Sequence, residues 1–148
     1  MKKRPFSLKS LIPLRDRRKE EAAHSLRRAT EYRNVLESKL SRLKGEIETM
    51  EKGLLAAMTQ RFPVRERLGR QSALNLERSR VEAVQIQLEE ARLKEEECRL
   101  EVIKARQEDR ILQQLKKKHE DVCRRELEAE EERTATDFVQ AQWVEARD

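Results

Sequence analysis

Leucine and alanine recur at alternating steps of four and three residues through the first helix-like stretch of the chain. The repeat comprises Ala22, Leu26, Ala29, Leu36, Leu40, Leu43, Ile47, Met50, Leu54 and Ala57, and only Arg33 interrupts it. An average step of about 3.5 residues is the a/d heptad pattern by which one helix packs along another in a coiled coil. The pattern therefore predicts a long helix with a narrow apolar seam and no enclosed pocket. We expect the Arg33 stem to lie along that seam with its charged head in water, so that Arg33→Leu would be neutral or stabilising.

A second seam of the same kind follows. Its apolar members are Leu74, Val81, Val84, Leu88, Ala91, Cys98, Val102, Ala105, Leu112 and Cys123. Polar residues occupy the intervening seam positions: Glu77, Glu95, Asp109, Lys116 and His119. This second repeat predicts another long helix with the same type of packing face.

One strong interruption, Phe62-Pro63 followed by Gly69, separates the two seams. A residue before proline avoids the helical region, so we expect the first helix to stop near Arg61. The predicted boundaries are a lead-in at 1–12, a first helix at 13–61, a turn region at 62–71, a second helix at 72–139 and a frayed acidic tail at 140–148. The predicted fold is all-α, a long antiparallel two-helix coiled coil in which residue 26 lies opposite about residue 104.

The charge distribution supports a hairpin. Residues 1–33 hold eleven Lys or Arg against four Asp or Glu, a net charge of +7, whereas residues 126–148 hold eight acids against two arginines, a net charge of −6. These segments would neutralise each other in a chain that folds back and would be far apart in one continuous helix. The overall composition, 43% charged and 3% aromatic, is typical of long helices.

The residues offer little for catalysis or metal binding. The two histidines, His24 and His119, have no evident nucleophile and carboxylate partners, and Cys98 and Cys123 do not form a metal-ligand motif. We therefore expect no enzyme activity, no cofactor and no metal. Two thiols in a polar helical chain favour a reducing compartment, and no segment has the length of apolar residues that a membrane span requires. The expected location is the cytoplasm.

The start of the chain resembles a known family. The motif Phe6-x-Leu8-x-x-Leu11-Ile12-x-Leu14-Arg15, followed by Glu20-Glu21-Ala22-Ala23, Leu26 and Ala29, resembles the N-terminus of the FliJ family of flagellar type III export proteins. It is also similar to the YscO-type stalk proteins of type III secretion. Pro13 inside the motif departs from the pattern, as does the absence of a large aromatic residue after the turn.

The resemblance implies a non-catalytic stalk. Its paired ends would enter the pore of the hexameric export ATPase, promote ring assembly and couple the ATPase to the export gate membrane protein and to export chaperones. The implied ATPase contacts are Phe6, Leu8, Leu11, Leu14, Arg15, Arg18 and Arg28. The implied gate-facing residues at the turn are Phe62, Val64, Leu68, Leu74 and Leu76. The protein would be cytoplasmic and would associate peripherally with the inner membrane through the export machinery.

Two alternatives remain compatible with the residues, a generic cytoplasmic coiled-coil scaffold and a basic nucleic-acid-binding coiled coil. The second is disfavoured because Asp16, Glu20 and Glu21 are interleaved with the basic cluster and no aromatic side chain provides a stacking platform there. We therefore expect no nucleic-acid partner. We expect Arg15, Arg18 and Arg28 to be exposed, so that replacing all three with glutamate would leave the helices intact.

Overall fold

The computed structural model describes residues 5–147 of the chain. Helix α1 spans Leu11–Thr59 and helix α2 spans Val64–Arg147, and the described residues contain no strand. The two helices pack against each other, which confirms the predicted all-α helical hairpin. Residues 1–4, with three of the basic residues counted above, and the terminal Asp148 lie outside the described part of the chain.

The chain forms two compact units. The turn unit is Glu21–Val102, and the terminal unit combines residues 5–20 with residues 103–147. Within the turn unit, Arg33 of α1 pairs with Glu95 of α2. Further along α1, Glu51 pairs with Arg78 of α2 at 3.1 Å. Partner numbers on α2 fall as those on α1 rise, so the helices of this unit are antiparallel, and the Arg33 register sets residue 26 opposite about residue 102.

The core of the turn unit consists of heptad residues from both helices. Leu36 packs with Leu88 and Ala91, and Leu43 packs with Val81 and Val84. The half-buried Leu40 contacts both groups, and Ile47 packs against the second. The two predicted seams contain thirteen Leu, Ile, Val and Met residues, of which eight are buried and five are half-buried: Leu36, Leu43, Leu74, Val81, Val84, Leu88, Val102 and Leu112, then Leu26, Leu40, Ile47, Met50 and Leu54.

A buried ion pair crosses the seam where the apolar repeat is interrupted. Glu95 is only 6% exposed and accepts hydrogen bonds from Arg33 and, at 2.9 Å, from Arg99. Arg33 also pairs with Glu37 at 2.9 Å, and this hydrogen bond lowers the pKa of the Glu37 carboxyl. The interpretation of Arg33 as a side chain with its head in water is therefore wrong, because its guanidinium neutralises a carboxylate inside the seam.

The turn is a compact helix cap with a non-glycine residue in the left-handed conformation. Arg61 has a φ of 53°, its N–H donates to the Met58 carbonyl at 3.4 Å, and the Phe62 N–H donates to the Ala57 carbonyl at 3.0 Å. This pair of bonds is the Schellman pattern that satisfies carbonyl groups at the end of a helix. It ends α1 at Thr59.

The ends of both helices differ from the predicted ones. Helix α1 begins at Leu11 and ends at Thr59, where 13 and 61 were predicted, and helix α2 extends beyond both of its predicted ends, 72 and 139. Helix α2 begins directly after Pro63, whose carbonyl accepts hydrogen bonds from the N–H groups of Glu66 (3.0 Å) and Arg67 (3.1 Å). Proline is tolerated here because a residue at the start of a helix needs no N–H donor. The predicted turn region 62–71 is thus mostly helix, and Gly69 is accommodated within it. The predicted frayed tail at 140–148 is helical as far as Arg147, since its Ala, Gln and Glu residues favour helix.

We predict that Arg61→Gly raises the free energy of unfolding by up to about 1 kcal/mol. An L-residue in the left-handed region costs roughly 1–2 kcal/mol, and glycine avoids that cost while losing more entropy on folding. Arg42→Gly is the matched control, because Arg42 is exposed within α1 and the same substitution there should destabilise by about 1 kcal/mol. Thermal melts compare the two variants. A loss of stability in Arg61→Gly would contradict the strained cap.

Candidate interaction surfaces

The basic cluster of the terminal unit is largely engaged by carboxylates of α2. Arg15 and Arg18 both pair with the same oxygen of Glu108, Arg18 at 2.9 Å. Lys19 donates to Asp109 at 2.9 Å, and this hydrogen bond, followed by the charge of Asp109, raises the pKa of the Lys19 ammonium. Arg15 is thus half-buried and not exposed as expected, whereas Arg18 is exposed and paired. That glutamate at both positions would leave the helices intact stays a prediction, and it now has to allow for the repulsion between the new carboxylates and Glu108.

Three other arginines offer positive charge to a partner. Arg17, Arg27 and Arg28 are exposed, and none of them pairs with a carboxylate in the described part of the chain. Arg17 belongs to the terminal unit, and Arg27 and Arg28 belong to the turn unit. Of these three, only Arg28 was predicted as an ATPase contact. Arg17, Arg27 and Arg28 occupy heptad positions f, b and c on the outer side of α1, whereas Arg18 lies at g beside the seam, so the repeat itself contained the signal.

The apolar lead-in packs partly within the terminal unit. The ring centroid of Phe6 lies 5.4 Å from that of His119, with the rings tilted by 45°. Leu8 and Leu11 are half-buried, whereas Leu14 is 56% exposed. Of the four apolar residues proposed as ATPase contacts, Leu14 therefore presents the most of its side chain to a partner.

The last part of α2 is unpartnered in the described structure. We call residues 127–147 the C-terminal segment, and every one of them is exposed. Its large apolar side chains are between 46% and 65% exposed: Leu127, Phe138, Val139, Trp143 and Val144. The segment also carries six acids against two arginines, a net charge of −4. The sequence predicted an acidic tail at 140–148 only, after a second helix that ends at 139, although the spacing of Val139 and Trp143 by one helical turn was a readable signal of an apolar face.

The turn end presents a second set of apolar side chains. Val64, Leu68 and Leu76 are each more than half exposed, and the Phe62 ring is half-buried with the Arg70 guanidinium 5.5 Å above its centroid. Leu74 is 2% exposed and belongs to the core, so its selection as a gate-facing residue is wrong. Its side chain faces α1 because it occupies a seam position. Leu55 and Met58 of α1 are also exposed and were not selected.

The described residues offer neither a metal-binding cluster nor a membrane-spanning helix. Residues 5–147 contain no group of three or more His, Cys, Asp or Glu side chains arranged to hold a metal ion. Neither described helix contains a stretch long and apolar enough to cross a membrane. Cys98 is buried and Cys123 is half-buried, and both are free thiols, with the Cys123 sulfur 3.5 Å from Nε2 of His119.

Comparison with known proteins identifies the family. The family model described as Flagellar FliJ protein matches residues 3–148 of the chain. No curated protein and no solved structure matches. The family match covers nearly the whole chain, both helices and the turn between them. The protein therefore belongs to the FliJ family and is a component of flagellar protein export.

Proposed function

We propose that this protein is a non-catalytic stalk that binds the hexameric export ATPase through its terminal unit and through Arg27 and Arg28, the exposed arginines that follow that unit along α1. In this proposal it also promotes assembly of the ATPase ring. The observation that carries the proposal is the C-terminal segment, in which a helix of 21 exposed residues (127–147) presents five large apolar side chains. Exposed apolar faces of this kind mark sites where a protein binds a partner. Leu14 and Arg17 add one exposed apolar and one unpaired basic side chain to the same unit.

The same proposal assigns the turn end to the export gate. Val64, Leu68 and Leu76 would contact the gate membrane protein through apolar surface, since these side chains are exposed without being required by the core. Export chaperones would be further partners. In this scheme the protein acts in the cytoplasm and reaches the inner membrane only through the export machinery.

The proposal predicts that exposed basic residues and exposed apolar residues each contribute to stimulation of the ATPase, so that the two kinds of substitution have separate effects. Phe138→Ser with Trp143→Ser should reduce stimulation of the purified export ATPase by about tenfold, because two exposed aromatic anchors are lost from the C-terminal segment. Joint replacement of Arg17, Arg27 and Arg28 by glutamate should also reduce stimulation, mainly at low salt. Salt screens exposed charges, whose interactions reach only about 10 Å at 0.1 M and less at higher concentrations. Turnover and ring size are measured with and without each variant.

A matched control changes the same amount of charge elsewhere. Lys39, Lys44 and Lys94 are exposed residues of the turn unit, and their joint replacement by glutamate should leave stimulation close to that of the unaltered protein. Circular dichroism checks that all variants remain helical. If the unaltered protein itself fails to stimulate the ATPase, the stalk proposal fails. If the variant of Arg17, Arg27 and Arg28 stimulates the ATPase as well as the unaltered protein does, the basic residues take no part in the mechanism.

A further inference from the structure

The outer face of α2 in the turn unit carries a second apolar stripe. Ile86, Leu93 and Leu100 are 60%, 68% and 58% exposed. They are spaced by seven residues and fall two residues before the buried seam positions Leu88, Glu95 and Val102. Residues at this heptad position point away from the partner helix, so the stripe contributes nothing to the hairpin core. We call these three residues the outer stripe.

The outer stripe is local and specific to one helix. The preceding equivalent position on α2 is Ser79 and the following one is Gln107. On α1 the equivalent positions are polar or glycine: Glu31, Ser38, Gly45 and Lys52. If large aliphatic residues were merely tolerated on the surface, they would not occupy this heptad position three times in succession on α2 and never on α1.

Glutamates line both sides of the outer stripe. Glu82, Glu89 and Glu96 precede the three stripe residues by four positions each, one helical turn away. Glu90 and Glu97 follow Ile86 and Leu93 by four positions, which sets them along the opposite side. All five are exposed. Glu96 pairs with Arg99 at 2.6 Å and Glu97 with Lys94 at 3.8 Å, whereas the other three form no ion pair within the described residues.

We propose that the outer stripe binds one basic amphipathic helix of a partner protein, forming a three-helix contact in the turn unit. The stripe spans the 15 residues from Ile86 to Leu100, about 21 Å along the helix, which matches a partner helix of roughly four turns. Leucines of that helix would cover Ile86, Leu93 and Leu100, while Lys or Arg beside them would face Glu82, Glu89 and Glu90. This surface lies outside the residues assigned to the ATPase and the export gate.

Charge disfavours the other occupants that the chain itself could supply. A second copy docked stripe to stripe would bring Glu82, Glu89 and Glu90 of both copies together, and like charges in register oppose association. The C-terminal segment of a second copy has a net charge of −4 and is repelled in the same way. The basic part of α1 uses its regularly spaced apolar residues in the hairpin seam.

The test uses the full chain and a synthetic helical peptide of about 18 residues, with leucine at heptad positions a and d and lysine at e and g. A second peptide replaces each lysine with glutamate. Fluorescence anisotropy measures binding at about 0.1 M and about 0.5 M salt. A photoreactive group at the centre of the lysine peptide maps where it binds, because the C-terminal segment is also acidic and apolar. We expect crosslinks within residues 82–104 and weaker binding at high salt.

Variants then identify the contacts. The stripe variant carries glutamine in place of Ile86, Leu93 and Leu100, and it should bind the peptide about tenfold more weakly. A second variant carries glutamine in place of Glu82, Glu89 and Glu90. It should also bind more weakly, and most of the salt dependence of binding should disappear. The matched control replaces Val35, Ile111 and Val122 with glutamine, because these residues are similarly exposed but lie off the stripe. The control should bind the peptide as the unaltered chain does.

Three results would overturn the proposal. The first is full peptide affinity in the stripe variant, and the second is equal binding of the glutamate peptide. The third is a dimer in analytical ultracentrifugation that disappears in the stripe variant, because the stripe would then be a contact between two copies. None of these measurements contains the export ATPase, so they can fail while the stalk proposal stands.

Discussion

Leu43→Ala is expected to lower the free energy of unfolding by about 3 kcal/mol, because truncating a buried leucine loses its transfer free energy and leaves a cavity. Leu43 is 5% exposed and packs with Val81 and Val84. Chemical denaturation followed by circular dichroism measures the change.

Val35→Ala is the control for Leu43→Ala. Val35 lies on the same helix but is 63% exposed, so its truncation should change the free energy of unfolding by less than about 0.5 kcal/mol. If the two variants have the same free energy of unfolding, Leu43 is not a core residue of the turn unit. The heptad phase assigned to α1 would then be incorrect.

Arg33→Leu is expected to lower Tm by several degrees, the opposite of what the heptad pattern alone suggested. The substitution leaves Glu95, 6% exposed, without its partner on α1. Removing one member of a buried ion pair is costly, whereas replacing both members by apolar residues is often neutral or stabilising. Arg33→Leu combined with Glu95→Leu should therefore recover the lost Tm, because two leucines restore an apolar layer of the seam.

The control for this pair uses an exposed ion pair of the same unit. Arg78→Leu removes a partner of Glu51 at a site where both side chains are about half exposed, so Tm should hardly change. Thermal melts of the two single variants and the double variant complete the comparison. A rise in Tm for Arg33→Leu alone would mean that Glu95 is compensated by Arg99 or by water, and that the pair does not stabilise the register.

The turn end shows what the heptad repeat alone could predict, and Leu74 and Leu76 are the clearest case. Both are leucines near the predicted turn, yet Leu74 is 2% exposed and Leu76 is 55% exposed. The repeat predicts this difference, because Leu74 occupies a seam position and Leu76, two residues later, does not. The pairing of the basic residues could not be predicted in this way, because Arg15 and Arg18 meet Glu108 only once the two helices lie side by side.

Local features of the chain were enough to predict the helical hairpin, the two apolar seams, the break near Pro63 and the resemblance to the FliJ family. These follow from local periodicity, from the backbone restriction at proline and from a linear motif, all of which are properties of the chain before it folds. The left-handed Arg61 is also a local feature, but the sequence did not reveal it, because no glycine marks that position of the cap. Which charges are paired depends instead on the fold. Arg33 and Glu95 are separated by 62 residues, and they meet only because the two helices pack in one register.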